Sequence, residues 1–144
     1  MSVTDFFIPI LVVPKGNNKS IVRAGGFTRL VEPKRSRACA AALKLECIKR
    51  RQGPPITRPV KVTYVFRRKY RKADARKFTL RGCVPSIFPC DTWADLGNLT
   101  KQMDDALKLS GIIKDDKLIW SYGETRKVWD ETTGVNVRIE EWTI

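Results

Sequence analysis

The apolar positions of this 144-residue chain switch between two spacings, and the switches mark its elements. The run Phe6-Phe7-Ile8-Pro9-Ile10-Leu11-Val12-Val13 is eight residues long and is followed by Pro14 and Gly16, which predicts a buried strand rather than a membrane span. Two short β-favouring runs, Ser20-Ile21-Val22-Arg23 and Thr28-Arg29-Leu30-Val31, lie either side of Gly25-Gly26 and predict a hairpin. Pro33 suits the first position of a helix running to about Gln52. In it Ala38, Ala41, Ala42, Leu45 and Ile48 recur at helical spacing, while Lys34, Arg35, Arg37, Lys44, Lys49, Arg50 and Arg51 fill the other faces. Gly53-Pro54-Pro55 ends that helix, and Val60-Lys61-Val62-Thr63-Tyr64-Val65-Phe66 alternates as the clearest strand. From Leu96 the apolar positions Leu99, Met103, Ala106 and Leu107 recur at three and four, with Asp95 placed to cap the helix and Gly111 to end it. Lys117–Tyr122 and Val135–Glu140 read as the strands of a terminal hairpin joined through Thr132-Thr133-Gly134, and the turn-rich stretch from Gly82 to Pro89 reads as loop.

This order predicts an α+β fold, with helices packed on a small mixed β-sheet, in a single domain spanning residues 1–144. Composition supports a folded chain, since 42% hydrophobic residues can fill a core although 30% are charged. Charge then points to a partner: 28 Lys and Arg against 15 Asp and Glu leave +13, which favours a polyanion. The densest block runs from Arg67 to Lys77, eleven residues with seven positive charges and one negative. Such a block cannot be buried. It is either a solvated run or a nucleic-acid contact made by Arg67, Arg68, Lys69, Arg71, Lys72, Arg76 and Lys77.

Histidine is absent, which excludes Ser-His-Asp and Cys-His chemistry and His-ligated zinc. Hydrolysis would need carboxylates and a hard metal ion. Cys39, Cys47, Cys83 and Cys90 are spaced by 8, 36 and 7 residues, without zinc-ligand spacing, and read as buried free thiols. With no signal-peptide pattern and no long apolar run, the expected setting is the cytoplasm, with no membrane partner.

The aspartates of the second half stand out against this basic background: Asp95 at a helix start, Asp104 and Asp105 within the helix, and Asp115-Asp116 after its end. A helix of some 15 residues at about 1.5 Å per residue separates its ends by roughly 20 Å. Asp95 and Asp116 therefore meet only if the chain folds back or a second protomer supplies one of them. Converging in a basic groove, they would suit Mg²⁺, which prefers carboxylate oxygen and retained water. Capping and solvated aspartates are the simpler alternative.

The segment Asp95-Leu96-Gly97-Asn98-Leu99-Thr100-Lys101, followed by Asp105-Ala106-Leu107, Gly111-Ile112-Ile113 and Asp115-Asp116, resembles the hallmark of the RusA family of Holliday-junction resolvases. The family pattern reads D-x-D-N-L-x-K, then D-A-L, then a glycine and D-D. The opening strand leading into Pro14 and Asn17-Asn18 is similar to the family's opening turn. The resemblance implies a homodimeric, Mg²⁺-dependent (or Mn²⁺-dependent) endodeoxyribonuclease acting on four-way DNA junctions, bacterial or phage-encoded. It implies that Asp95 and Asp116 are metal-binding catalytic carboxylates, that Asp115 assists with the metal, and that Lys101 stabilises the phosphate in the transition state. Asn98 would fix the turn or contact DNA, and Asp105, four residues after Lys101, would orient that lysine.

One position departs from the pattern. Gly97 stands where the family has its second aspartate, and loss of an anionic ligand weakens Mg²⁺ binding. Three readings compete there: Asp91 or Asp104 substitutes, the chain binds but cleaves poorly, or the glycine is an engineered change. Two other functional classes remain open, a non-enzymatic basic DNA- or RNA-binding protein and a ribosome-associated basic protein.

Overall fold

A computed structural model describes residues 2–14, 20–24, 27–31, 34–78 and 88–144. Strand β1 (Val3–Ile8) is followed by a two-stranded ribbon, β2 (Ser20–Ala24) and β3 (Phe27–Val31), then α1 (Lys34–Arg50) and β4 (Val60–Lys69). A 3₁₀ turn at Lys72–Asp74 leads into the four-residue α2 (Ala75–Phe78). Next come α3 (Leu96–Leu109), a second 3₁₀ turn (Asp116–Leu118), and the strands β5 (Ile119–Tyr122), β6 (Arg126–Asp130) and β7 (Gly134–Glu141).

β4 organises the main sheet. β7 runs antiparallel along one edge of it, with β1 antiparallel beyond β7. The other edge is shared: β5 lies parallel to Val60–Val62 and β6 parallel to Val65–Lys69. The link between them stays on the ladder, because Gly123 N–H donates to Val62 O and Tyr64 N–H donates to Thr125 Oγ1. Gly123 is needed there, since a Cβ would collide with the Thr63 side chain.

Alternation in β4 decides which face is covered. Val60, Val62, Tyr64 and Phe66 are fully buried, whereas Lys61, Thr63, Val65 and Arg67 on the opposite face are half-buried. Val135, Val137 and Ile139 of β7 continue the buried side, joined by Leu43 and Cys47 of α1 and by Leu99, Met103 and Leu107 of α3 in one apolar cluster. The predicted α+β architecture, helices on a small mixed sheet, is therefore present.

Several boundaries differ from the sequence expectation. β1 starts earlier and stops at Ile8, because Pro9 has no N–H to donate, although Val12 beyond it still enters the core. α1 buries Ser36, Cys39, Leu43 and Cys47, leaving Leu45 60% and Ile48 45% exposed, so the face expected from Ala38, Ala41, Leu45 and Ile48 is largely solvent-facing. The terminal hairpin is not formed: β5 and β7 pair with opposite edges of β4, and β6, unpredicted, lies between them in sequence. β2 and β3 pair antiparallel with Ala24 opposite Phe27, as the hairpin reading requires, while Gly25-Gly26 lie outside the described residues. Asn17, Asn18, Cys83 and most of the Gly82–Pro89 stretch also lie outside them. Cys39, Cys47 and Cys90 are free and buried, and burial pushes the Cys47 thiol up to about 11. Among the described residues, no helix is long and apolar enough to cross a membrane.

Candidate active site

α3 is amphipathic and well anchored. Leu99, Met103, Ala106 and Leu107 are buried, and Gln102, also buried, donates from Nε2 to Ser36 O of α1 at 3.2 Å. Gly111 ends the helix at φ 79°, the left-handed conformation that glycine tolerates best.

Asp95 occupies the N-cap position, yet its carboxylate does not cap. Its backbone carbonyl accepts from Asn98 and Leu99 N–H, while the exposed side chain makes no hydrogen bond to the helix. The capping role expected from sequence is therefore unfilled, and the carboxylate is available to a ligand. Gly97 is exposed in the first turn, and a Cβ built there meets nothing within 4 Å. No backbone requirement accounts for glycine at this position. Asn98 is half-buried, and Lys101, one turn further, is exposed and forms no ion pair among the described residues.

The second acidic group follows the helix in the chain. Asp116 Oδ1 is 3.9 Å from Lys108 Nζ, and its charge also reaches Asp104. Asp115 caps the 3₁₀ turn, its Oδ1 accepting from Lys117 N–H at 3.0 Å. That bond, with help from Asp116, holds the Asp115 carboxyl below the ordinary value. Asp115 and Asp116 stand side by side at the 3₁₀ turn after α3, and Asp95 stands at the start of α3. Among the described residues no group of three or more His, Cys, Asp or Glu is arranged to hold a metal ion. The carboxylates fit Mg²⁺ in kind, one or two at a time with water and phosphate completing the shell, but not as a three-carboxylate cage within one chain.

Asp104, weighed above as a substitute for the missing aspartate, is already used by the fold. It is buried, with Oδ1 accepting from the Tyr64 hydroxyl at 2.7 Å and Oδ2 from the Tyr122 hydroxyl at 2.5 Å. Burial raises its pKa and the nearby Asp105 and Asp116 add to the rise, against the two tyrosine bonds. Burial likewise raises both phenols. Sequence reasoning missed this trio. The available signal was Tyr64 itself, a hydroxyl in the middle of a buried strand face that needs an acceptor. Asp91, the other substitute, is exposed four residues before Asp95.

The basic block is not uniform. Arg67 lies on the half-buried sheet face, donating from Nε to Asn136 Oδ1 at 2.5 Å and from a terminal nitrogen to Asp130 Oδ2 at 2.8 Å. Its side chain is 19% exposed and ties the sheet face to Asp130. Arg68 carries its charge against Trp93 and Trp129. Lys69, Lys72, Arg76 and Lys77 are exposed, and Arg71 donates from Nε to Asp74 Oδ2 at 2.9 Å as an exposed pair.

A search of curated proteins gives no match. The family model for endodeoxyribonuclease RusA, however, matches residues 9–140, a span containing the uncapped Asp95, Lys101, the Asp115-Asp116 turn and the basic block. Nearly the whole chain is covered, and it therefore belongs to the RusA family, whose endodeoxyribonucleases resolve Holliday junctions.

Proposed function

We propose that this chain is a structure-specific endodeoxyribonuclease that binds four-way DNA junctions as a homodimer in the cytoplasm and hydrolyses phosphodiesters with Mg²⁺ or Mn²⁺, its rate reduced by Gly97. The observation that carries the reading is Asp95: an exposed carboxylate at the N-cap of an anchored helix, without a capping bond, with Lys101, which forms no ion pair among the described residues, following on the same helix.

In this reading Asp95 and Asp116, with Asp115 beside it, would hold the metal. Bound there, the metal would supply a nucleophilic water and charge neutralisation on the phosphate. Lys101 would place its ammonium against the developing negative charge of the phosphoryl oxygens. Asn98 would hold the helix start or hydrogen-bond the DNA. Arg68, Lys69, Arg71, Lys72, Arg76 and Lys77 would grip the backbone, and that grip does not depend on the metal. A two-fold dimer supports paired incisions, one per strand. The glycine at position 97, where the family pattern has an aspartate, supports weak metal retention and slow chemistry in the chain as it stands.

Magnesium-dependent nicking of a synthetic four-way junction tests this. Slow, metal-dependent cleavage supports it, and junction binding with no cleavage in Mg²⁺ or Mn²⁺ would favour the binding-only alternative.

A further inference from the structure

Two cavities meet at Arg68. One, about 270 Å³, lies between the Leu11–Pro14 segment and Thr92–Ala94 and is lined by both Arg35 and Arg68. The other, about 300 Å³, is lined by Arg68, Lys69, Arg71 and Trp129, and Thr92 borders both. Neither is lined by a carboxylate among the described residues. Arg35 and Arg68 form no ion pair among the described residues.

Arg68 is held in place without being neutralised. Its guanidinium carbon lies 6.0 Å from the Trp93 ring centroid and 5.8 Å from that of Trp129. Trp93 is itself fixed, its indole N–H donating to Val12 O at 3.2 Å and its ring meeting Phe66 edge-on at 6.2 Å. Aromatic faces stabilise a cation while leaving its N–H groups unsatisfied, so the fork still seeks acceptors. A second guanidinium from the first turn of α1 lines the same cavity, and two like charges sharing one space repel. An anionic occupant with several oxygens relieves that repulsion and satisfies both forks, which is the geometry in which arginine excels.

We propose that Arg35, Arg68 and the Thr92 hydroxyl form a phosphate-binding subsite that seats one backbone phosphate of the DNA strand leading to Asp95. The subsite rests on the nuclease reading for its role. Thr92 is three residues before Asp95, so a phosphate seated here sets the register of the strand at the carboxylate. Arg35 belongs to this site although the dense basic block begins 32 positions later, because the fold brings α1 to the end of β4.

The test uses the whole protein in metal-free buffer with two probes, a four-way junction and a short oligothymidylate that has phosphates but no branch. Arg35→Gln and Arg68→Gln should each weaken binding of both. Because both side chains meet one phosphate, the double variant should lower the salt slope on the junction by about 0.9 in total rather than by twice that. Arg68→Lys keeps the charge and should restore most of the slope, which a purely structural role for Arg68 would not produce. Arg35 is exposed, so Arg35→Gln reports even if Arg68→Gln fails to fold. Unchanged affinity of Arg35→Gln for both probes would overturn the subsite whatever the cleavage assay returns. Arg35-dependent oligothymidylate binding without junction cleavage would support the subsite and count against the nuclease reading.

Discussion

Tyr64, in the middle of β4, donates its hydroxyl hydrogen to Asp104 of α3 across 2.7 Å, which ties the centre of the sheet to the helix that carries Asp95 and Lys101. Tyr122 of β5 completes the clamp from the neighbouring strand. A buried hydrogen bond to a charged group contributes about 1.5–3 kcal/mol, so Tyr64→Phe should lose about that much stability in denaturant titration. The pH dependence has a definite sign. Burial holds the folded Asp104 carboxyl above its ordinary 3.8, so the folded chain keeps this proton to higher pH than the unfolded one. Its contribution is full below 3.8 and is lost as pH rises through the folded value. Asp104→Asn should flatten stability against pH across that window, and an unchanged pH profile would contradict the assignment.

Gly97→Asp should be tolerated, because its Cβ enters open space. An acidic side chain in the first helical turn interacts well with the helix dipole, adding about 0.3 to 1 kcal/mol. The same change should raise the rate of junction cleavage and leave metal-free affinity equal or slightly weaker. Melting temperature and cleavage rate, measured on the same preparation, separate the two effects.

Arg67 and its neighbours should respond differently to neutralisation. Gln at Lys72, Arg76 or Lys77 should each lower the salt slope of DNA binding by about 0.9 with little effect on stability. Arg67→Gln should instead destabilise the fold, because it removes the tie to Asp130 and Asn136, and should leave the slope nearly unchanged.

A homodimer at micromolar concentration is expected from the need for two incisions, and the exposed Leu45 and Ile48 of α1 offer apolar surface for it. Light scattering should give about twice the chain mass of 16.4 kDa. A mass near 16.4 kDa at all concentrations would contradict it.

What could be read from the sequence follows from how strongly each residue signals its environment. α3 was legible because Leu99, Met103, Ala106 and Leu107 are large, apolar and regularly spaced. The buried face of α1 was not, because it is made of Ser36, two cysteines and a single leucine, while the stronger apolar signals of Leu45 and Ile48 face solvent. β6 was invisible because three of its five residues are charged, and it becomes a strand only by continuing the edge of β4. At the candidate site, Asp95, Gly97 and Lys101 were legible through a family pattern. The engagement of Arg67 and Asp104 was not, since both depend on partners more than 35 positions away, Asp130 and Tyr64.

The most direct measurement is single-turnover cleavage of a prebound four-way junction on adding Mg²⁺, comparing the protein with Asp95→Asn. The expected result is slow cleavage that Asp95→Asn abolishes while metal-free junction affinity is retained. Cleavage that continues unchanged in Asp95→Asn, or no cleavage of branched DNA by either the chain or its Gly97→Asp variant in Mg²⁺ or Mn²⁺, would contradict it.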